Sequence, residues 1–146
     1  MNTDLMFSSK KMDWTTPQDF YEELNDEFHF TLDPAASKEN AKCRMFFTEE
    51  DDGLSKDWGG QVVFCNPPYG RALPKWIEKC YKESQKPNTT VVMLIPARTD
   101  TRAFHSYIYH KAEIRFIKGR LKFGDGANSA PFPSMVVIMR GGDRCE

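Results

Sequence analysis

Apolar residues near the start of the chain recur every three or four positions, as they do along one face of an amphipathic helix. The members of this face are Phe20, Tyr21, Leu24 and Phe28. Thr16 and Pro17 predict where the helix begins, because a hydroxyl caps the first turn and proline fits the first helical position. Alternating apolar and polar residues over 30–32 predict a short strand that runs into Asp33 and Pro34.

The middle of the chain predicts two buried strands on either side of one strong helix. Apolar runs over 61–65 and 91–95 are nearly continuous, which is typical of strands buried on both faces. Between them, five residues follow the spacing of one helical face: Leu73, Trp76, Ile77, Cys80 and Tyr81. Weaker signals predict a short helix over 37–42 and a strand over 44–48.

The last third of the chain continues the alternation of helix and strand. Asp100 predicts the cap of a helix, whose inward face is Phe104, Tyr107 and Ile108. Two further strands are predicted over 113–117 and 135–139, with a loop over 124–133. Strands that alternate with helices predict an α/β fold with a mostly parallel sheet, and ligands of such folds bind beyond the carboxyl ends of the strands.

Length and composition indicate one folded domain over residues 1–146. The chain has 146 residues, of which 40% are hydrophobic and 28% are charged. Its longest apolar run is far shorter than the roughly 18 residues that a membrane-spanning helix needs. The N-terminus has neither the basic nor the apolar segment of a signal peptide. We therefore expect a cytoplasmic protein without membrane contact.

The spacing of cysteine and histidine indicates neither a metal site nor a disulfide framework. No C-x-x-C pair occurs among the four cysteines, which are Cys43, Cys65, Cys80 and Cys145. No H-x-x-x-H pair occurs among the three histidines, which are His29, His105 and His110. We expect no bound metal, and a chain of this size does not need disulfides to hold its core.

Charge is divided unevenly along the chain. Residues 1–65 carry 6 Lys and Arg against 14 Asp and Glu, whereas residues 66–146 carry 14 against 7. A basic half on an otherwise acidic domain is what a nucleic-acid-binding face would produce, because phosphate contacts need local positive charge. The alternative is a set of solvated lysines on helix faces.

Two predicted strands end in polar residues that can bind a ligand. Asp33 ends the first, and Asn66 follows the second and begins the sequence Asn-Pro-Pro-Tyr. Pro67 and Pro68 lack N–H groups, so the Asn66 side chain and nearby carbonyls form an acceptor-rich site. Tyr69 adds a ring suited to stacking on a planar base with an exocyclic amine. The alternative is that the prolines form only a rigid turn and that Tyr69 belongs to the core.

The segment Asn66-Pro67-Pro68-Tyr69 resembles the catalytic N-P-P-Y motif of S-adenosylmethionine-dependent amino-methyltransferases. Further segments, between residues 14 and 139, occur in an order similar to that of the phage-type DNA N6-adenine methyltransferase family. They are Trp14-Thr15-Thr16-Pro17, Leu32-Asp33-Pro34-Ala35-Ala36, Asp52-Gly53-Leu54, Trp58, Pro96-Ala97-Arg98-Thr99-Asp100-Thr101, Gly119-Arg120-Leu121-Lys122-Phe123 and Pro131-Phe132-Pro133-Ser134. N-P-P-Y alone is also found in enzymes that act on RNA and on protein glutamine amides, so the full set is more specific.

The resemblance implies a Rossmann-like methyltransferase fold, in which a mostly parallel twisted sheet has helices on both faces and an antiparallel C-terminal strand. It implies methyl transfer from S-adenosylmethionine, without a metal, to adenine N6 in double-stranded DNA. The implied catalytic residues are Asn66, Pro67, Pro68 and Tyr69. The N6–H groups would bond to the Asn66 side-chain oxygen and the Pro67 carbonyl, and the adenine would flip out of the duplex and stack on Tyr69.

The resemblance also implies a cofactor site. Its members are Trp14, Thr15, Thr16, Pro17, Asp33, Ala35, Asp52 and Asn66. Asp33 and the Thr15–Pro17 turn would bind the methionine end, and Asp52 would bind the adenosine, in competition with Glu49, Glu50 and Asp51. A turn pair at Asp33 and a helix cap at Thr16 are the alternatives without a cofactor.

The cofactor loop departs from the family pattern. Typical amino-methyltransferases carry glycines after the first strand, where this chain has Ala35-Ala36-Ser37. This departure predicts a cofactor that sits differently or binds weakly.

The chain has no room for a separate target-recognition domain, so sequence specificity must come from loops or be slight. Basic loop residues are the candidate DNA contacts: Arg71, Lys75, Arg98, Arg102, Arg120 and Lys122. Arginine reads guanine edges or binds phosphate, and a buried or salt-bridged role is the alternative for each. Formation of a homo-oligomer would enlarge the DNA-binding surface.

Two other functions remain open at this point. The same motif chemistry serves methylation of RNA or of a protein glutamine. A non-catalytic remnant that binds only cofactor or DNA is the alternative outside the enzymes, suggested by the missing glycines and the small size.

Overall fold

A computed structural model describes residues 14–124 and 129–141. Cys145 and part of the predicted loop over 124–133 lie outside these residues. In chain order the elements are α1 (Gln18–Phe28), β1 (Leu32–Asp33), β2 (Met45–Phe46), a 3-10 turn (Gly53–Ser55), β3 (Val62–Cys65), α2 (Leu73–Ser84), β4 (Thr90–Pro96), a π-helical turn (Phe104–Ile108), β5 (Glu113–Phe116) and β6 (Ser134–Arg140). No helix among the described residues is long and apolar enough to cross a bilayer.

The six strands form one sheet in the order β2-β1-β3-β4-β6-β5. The pairs β1–β2, β1–β3 and β3–β4 are parallel, whereas β6 lies antiparallel between β4 and β5. The longest pairing joins β4 to β6 over seven residues, from Thr90 opposite Arg140 to Pro96 opposite Ser134. The α/β fold with a mostly parallel sheet and an antiparallel C-terminal strand is thereby confirmed.

Helices cover both faces of the sheet, because side chains alternate between the faces along each strand. On one face, α2 and the π-helical turn pack on Val63, Cys65, Val91, Met93, Ile95, Met135, Val137 and Met139. On the other face, Tyr21 and Leu24 of α1 pack on Phe64, Val92, Leu94, Val136 and Ile138. The carboxyl ends of the parallel strands β1, β3 and β4 lie at the same edge of the sheet, and the candidate residues follow these ends.

Three local expectations differ from the structure. Residues 37–42 form a turn rather than a helix, because the side chains of Ser37 and Asn40 each accept the other residue's backbone N–H. Thr101, not Asp100, caps the π-helical turn, since its hydroxyl accepts the N–H of Phe104 at 3.2 Å. Helix α1 begins one residue later than expected, and no side chain caps it.

Gly53 connects the acidic turn over 49–52 to the loop that follows β1. A Cβ atom added at Gly53 would overlap the carbonyl oxygen of Pro34 and would lie 3.1 Å from Cη2 of Trp76. The 3-10 turn can approach the end of β1 this closely only because position 53 has no side chain. This contact fixes the position of Asp52 relative to Asp33.

We predict that Gly53→Ala lowers the free energy of unfolding by about 3 kcal/mol, since the backbone of either loop must move to relieve the overlap. Gly60→Ala is the control: Gly60 has a φ of 79°, but an added Cβ meets nothing within 4 Å. The control should therefore lose only roughly 1 kcal/mol, from backbone strain. Urea denaturation measures both, and equal losses would contradict the close approach.

Candidate active site

The side chain of Asn66 lies at the carboxyl end of β3 and is held from three directions. Its Nδ2 donates to the carbonyl oxygen of Trp14 at 2.7 Å and to the hydroxyl of Thr16 at 3.0 Å. Its Oδ1 accepts a hydrogen bond of 2.7 Å from the hydroxyl of Tyr69. Both amide hydrogens are thus used, while the oxygen keeps one lone pair for a further donor.

Tyr69 has its hydroxyl at the catalytic motif and its ring in an aromatic cluster. The hydroxyl also lies 3.2 Å from the carbonyl oxygen of Leu94 in β4. The ring contacts Trp14, Phe123 and Phe132, with centroids 6.0, 6.3 and 5.6 Å away. Burial raises the pKa of Tyr69 well above its ordinary value, so the hydroxyl stays protonated and remains a donor.

A largely apolar cavity of about 590 Å³ lies beside Tyr69, between the start of α2, the end of β4 and the π-helical turn. Its apolar lining includes Leu73, Ile77, Ile95, Phe104, Ile108 and Met135. Three exposed basic residues also line it: Lys75, Arg98 and Arg102. The guanidinium of Arg98 lies over the ring of Phe132, 5.8 Å from its centroid. Glu78 also lines the cavity, which can therefore accept a planar apolar group with charged side chains of both signs beside it.

Asp33 at the end of β1 organises the loop that follows it. Its Oδ2 accepts the backbone N–H of Lys42 at 2.9 Å, and its Oδ1 accepts that of Ala35 at 3.4 Å. The residue is only 5% exposed, and burial raises its pKa although the two N–H groups oppose the shift. Both carboxylate oxygens face the protein's own backbone, so Asp33 shapes the candidate cofactor loop from within.

A polar cavity of about 430 Å³ lies between this loop and the segment before α1. Its lining includes Thr15, Gln18, Ser37, Glu39, Asn40 and Lys42. Asn40 Nδ2 donates to the Thr15 hydroxyl at 3.4 Å and so joins the two segments. The lining combines hydroxyl and amide groups with one carboxylate and one ammonium, which suits a small zwitterion.

The acidic turn contains one engaged carboxylate. Asp51 accepts both the N–H and the hydroxyl of Thr48, at 2.9 and 3.0 Å, and these bonds lower its pKa. Asp52 is exposed, has a φ of 61°, and its carboxylate bonds to no other described residue. Of the four acidic residues over 49–52, Asp51 is therefore the one whose carboxylate is hydrogen-bonded within the described part of the chain.

Among the described residues, the six candidate DNA contacts lack the ion pairs that five other basic residues make, a property that they share with the exposed Lys56, Lys111 and Lys118. Ion pairs are made by Lys79, Lys82, Lys86, Arg115 and Arg140. Within the described ranges, Arg71, Lys75, Arg98, Arg102, Arg120 and Lys122 are exposed and form no ion pair. Arg120 and Lys122 line a second open surface cavity beside the start of α1, whereas Lys75, Arg98 and Arg102 line the cavity beside Tyr69. The alternative of salt-bridged residues thus does not describe these six.

The structure brings most of the expected residues together and adds others. Trp14, Thr16 and Pro67 lie at Asn66, whereas Asp33 and Ala35 face each other in the loop after β1. Sequence reasoning missed the aromatic partners of Tyr69 and the polar residues of the smaller cavity. Phe123 and Phe132 lie in two of the segments that resemble the family, and this resemblance could have indicated that they belong to the site.

In the part of the chain that is described, no three His, Cys, Asp or Glu side chains are grouped as a metal site requires.

Comparison with known proteins connects this geometry to a family. The profile of the DNA N-6-adenine-methyltransferase (Dam) family matches residues 5–143. The chain is 31% identical over 142 residues to the DNA N-6-adenine-methyltransferase of Haemophilus phage HP1, and the match covers 90% of this chain and 82% of the relative. It is 34% identical over 110 residues to the DNA N-6-adenine-methyltransferase of Escherichia phage T1, covering 74% of this chain and 45% of that longer protein.

Proposed function

Because the chain belongs to the DNA N-6-adenine-methyltransferase (Dam) family, we propose that it transfers a methyl group from S-adenosylmethionine to the N6 amine of adenine in double-stranded DNA. It is thus an adenine-specific DNA methyltransferase. The main support for the proposed site is the side-chain amide of Asn66. Its nitrogen donates both of its hydrogens within the protein, and its oxygen retains a lone pair that can accept a hydrogen bond from the substrate.

The chemistry requires that the lone pair of adenine N6 be localised, because in free adenine it is delocalised into the ring. The Oδ1 of Asn66 and the carbonyl of Pro67 would accept the two N6–H groups and orient the nitrogen. S-adenosylmethionine, when bound, supplies an electrophilic methyl group on sulfur. Holding the amine in line with that group supplies the proximity advantage of a preorganised two-substrate reaction, without a covalent enzyme intermediate.

The residues near the segment 14–17 fit the cofactor chemically. The amino-acid end of S-adenosylmethionine carries one carboxylate and one ammonium, and the polar cavity offers Lys42 and Glu39 as matching partners. Thr15 and Ser37 add hydroxyl groups. Asp33 would act indirectly, through the loop that it holds, and the exposed Asp52 would contact the adenosine hydroxyls.

The cavity beside Tyr69 is the proposed place for the target adenine: Asn66 does not line it, but is bonded to the hydroxyl of Tyr69, which does, so the N6 amine would lie at the end of the cavity next to the motif. Flipping the base out of the duplex would cost a few kcal/mol, and contacts of the base with Tyr69 and the apolar lining would offset this free energy. Lys75, Arg98 and Arg102 line this cavity, and in the proposal they would bind the phosphates that flank the flipped nucleotide. Arg71, Arg120 and Lys122 would extend the contact along the duplex.

We predict that the wild type transfers labelled methyl from S-adenosylmethionine to duplex DNA and that nucleoside analysis finds N6-methyladenine. Asn66→Ala should lower the rate at least about 100-fold, because it removes the acceptor aimed at the reacting amine. Asn25→Ala is the matched control: Asn25 Oδ1 accepts the N–H of Phe30 at 2.8 Å near the far end of α1, so its loss affects stability rather than transfer.

Label in RNA or protein instead of DNA would show that the substrate assignment is wrong. Absence of transfer to any acceptor would favour a remnant that binds cofactor or DNA without turnover.

We predict that duplex binding weakens steeply with salt, so that log K falls with log salt, and that replacing both Arg98 and Arg102 by alanine makes this negative slope shallower by about 2. Lys56→Ala, an exposed residue of the acidic half, is the control and should leave the slope unchanged. Fluorescence anisotropy at several salt concentrations measures the slope. An affinity that does not vary with salt would argue against a phosphate-binding role.

We predict that Ser106→Trp lowers methyl transfer at least about tenfold while duplex affinity changes little, because the added ring occupies the cavity proposed for the adenine. Ser106 is exposed and lines this cavity. Lys111→Trp, an exposed residue outside the lining, controls for the effect of a surface tryptophan. Full activity of Ser106→Trp would place the adenine elsewhere.

A further inference from the structure

The hydroxyl of Thr16 does not cap the helix that follows it, and the residue is buried from solvent. The residue is 3% exposed. Helix α1 begins at Gln18 and has no side-chain cap, and within its first turn the carboxylate of Asp19 accepts the N–H of Phe20 at 2.8 Å. The hydroxyl of Thr16 instead accepts the Asn66 Nδ2–H at 3.0 Å. A threonine in a position typical of a helix cap is therefore used for a contact 50 residues away in sequence.

The partners of Asn66 allow only one orientation of its amide. The carbonyl oxygen of Trp14 can accept but cannot donate, so the atom 2.7 Å from it must be the amide nitrogen. A reversed amide would place its oxygen against that carbonyl and lose a hydrogen bond. Thr16 takes the second amide hydrogen, and Tyr69 donates to the oxygen. Hydroxyl groups on both sides thus hold the amide against rotation.

We propose that Thr16 is a positioning residue for the reaction, which keeps the Asn66 oxygen aimed as acceptor for the substrate amine, and that its hydroxyl does not contact the cofactor. This role rests on the proposed function of Asn66. It differs from the assignment of Thr16 to the cofactor site that the family resemblance implies.

The test compares Thr16→Val with Thr16→Ser. Valine keeps the shape of threonine but removes the hydroxyl, so we expect kcat to fall about tenfold, the equivalent of one hydrogen bond, with the KM for S-adenosylmethionine unchanged within about twofold. Serine keeps the hydroxyl and should restore kcat to within about twofold of the wild type. A rise in that KM at constant kcat would overturn the proposal in favour of direct cofactor contact.

A second measurement does not depend on activity. The side-chain NH2 signals of Asn66 in a ¹⁵N-labelled sample are assigned by their disappearance in Asn66→Ala. We expect Thr16→Val to shift these signals and to increase their exchange with solvent, and Thr16→Ser to leave both near the wild-type values. Unchanged signals in the valine variant would overturn the proposed contact. Thermal unfolding of all variants identifies any loss of activity that follows only from loss of folded protein.

The two proposals fail in different ways. A wild type that methylates no adenine would contradict the proposed function, whereas the NMR comparison would still decide whether Thr16 holds the amide. An active wild type together with an equally active Thr16→Val would contradict the positioning role alone.

Discussion

The side-chain amide of Asn66 is the interaction on which the site depends, because it joins segments that are far apart in sequence. Its nitrogen bonds to residues before α1, and its oxygen bonds to Tyr69, whose hydroxyl also reaches the carbonyl of Leu94 in β4. The contact with Leu94 requires the parallel register of β3 and β4, in which Cys65 pairs with Met93. Sheet register, the motif turn and the N-terminal segment must therefore be correct together before a usable acceptor exists at position 66.

The hydrogen bonds of Asn66 are all to neutral groups, whereas the basic side chains at the cavity beside Tyr69 are exposed. The partners of Asn66 are a carbonyl and two hydroxyls, and burial keeps Tyr69 protonated by raising its pKa. Positive charge lies instead on exposed loop residues such as Arg98 and Arg102. Buried neutral bonds are little affected by ions in solution, whereas exposed cations are screened. In the proposed function, orientation of the reacting amine and capture of the nucleic acid would thus depend on different kinds of interaction.

The sequence predicted the parts of the fold that depend on local pattern. The apolar runs at β3 and β4 and the helical face that begins at Leu73 appear as expected, and they were enough to place Asn66 at a strand end. What the sequence left undecided depended on partners elsewhere in the fold. The hydroxyl of Thr16 fits the pattern of a helix cap, but in the structure it bonds to Asn66. The carboxylate of Asp33 fits a ligand contact and a loop contact equally well, and the structure shows its bonds to the backbone of Lys42 and Ala35. Short polar side chains satisfy several local patterns equally well, and only tertiary contacts decide between them.

The acceptor that fixes the Asn66 amide is a main-chain atom, the carbonyl oxygen of Trp14, and no substitution at position 14 removes it. An aspartate at position 66 could also accept an N–H from a substrate and could accept the Thr16 hydroxyl, but it would direct a carboxylate oxygen at this carbonyl and would lose the bond that the amide nitrogen makes to it. The backbone carbonyl of Trp14, 52 residues earlier in the chain, therefore favours asparagine over aspartate at position 66. In this chain the route of the N-terminal segment thus helps to determine which residue can begin the motif.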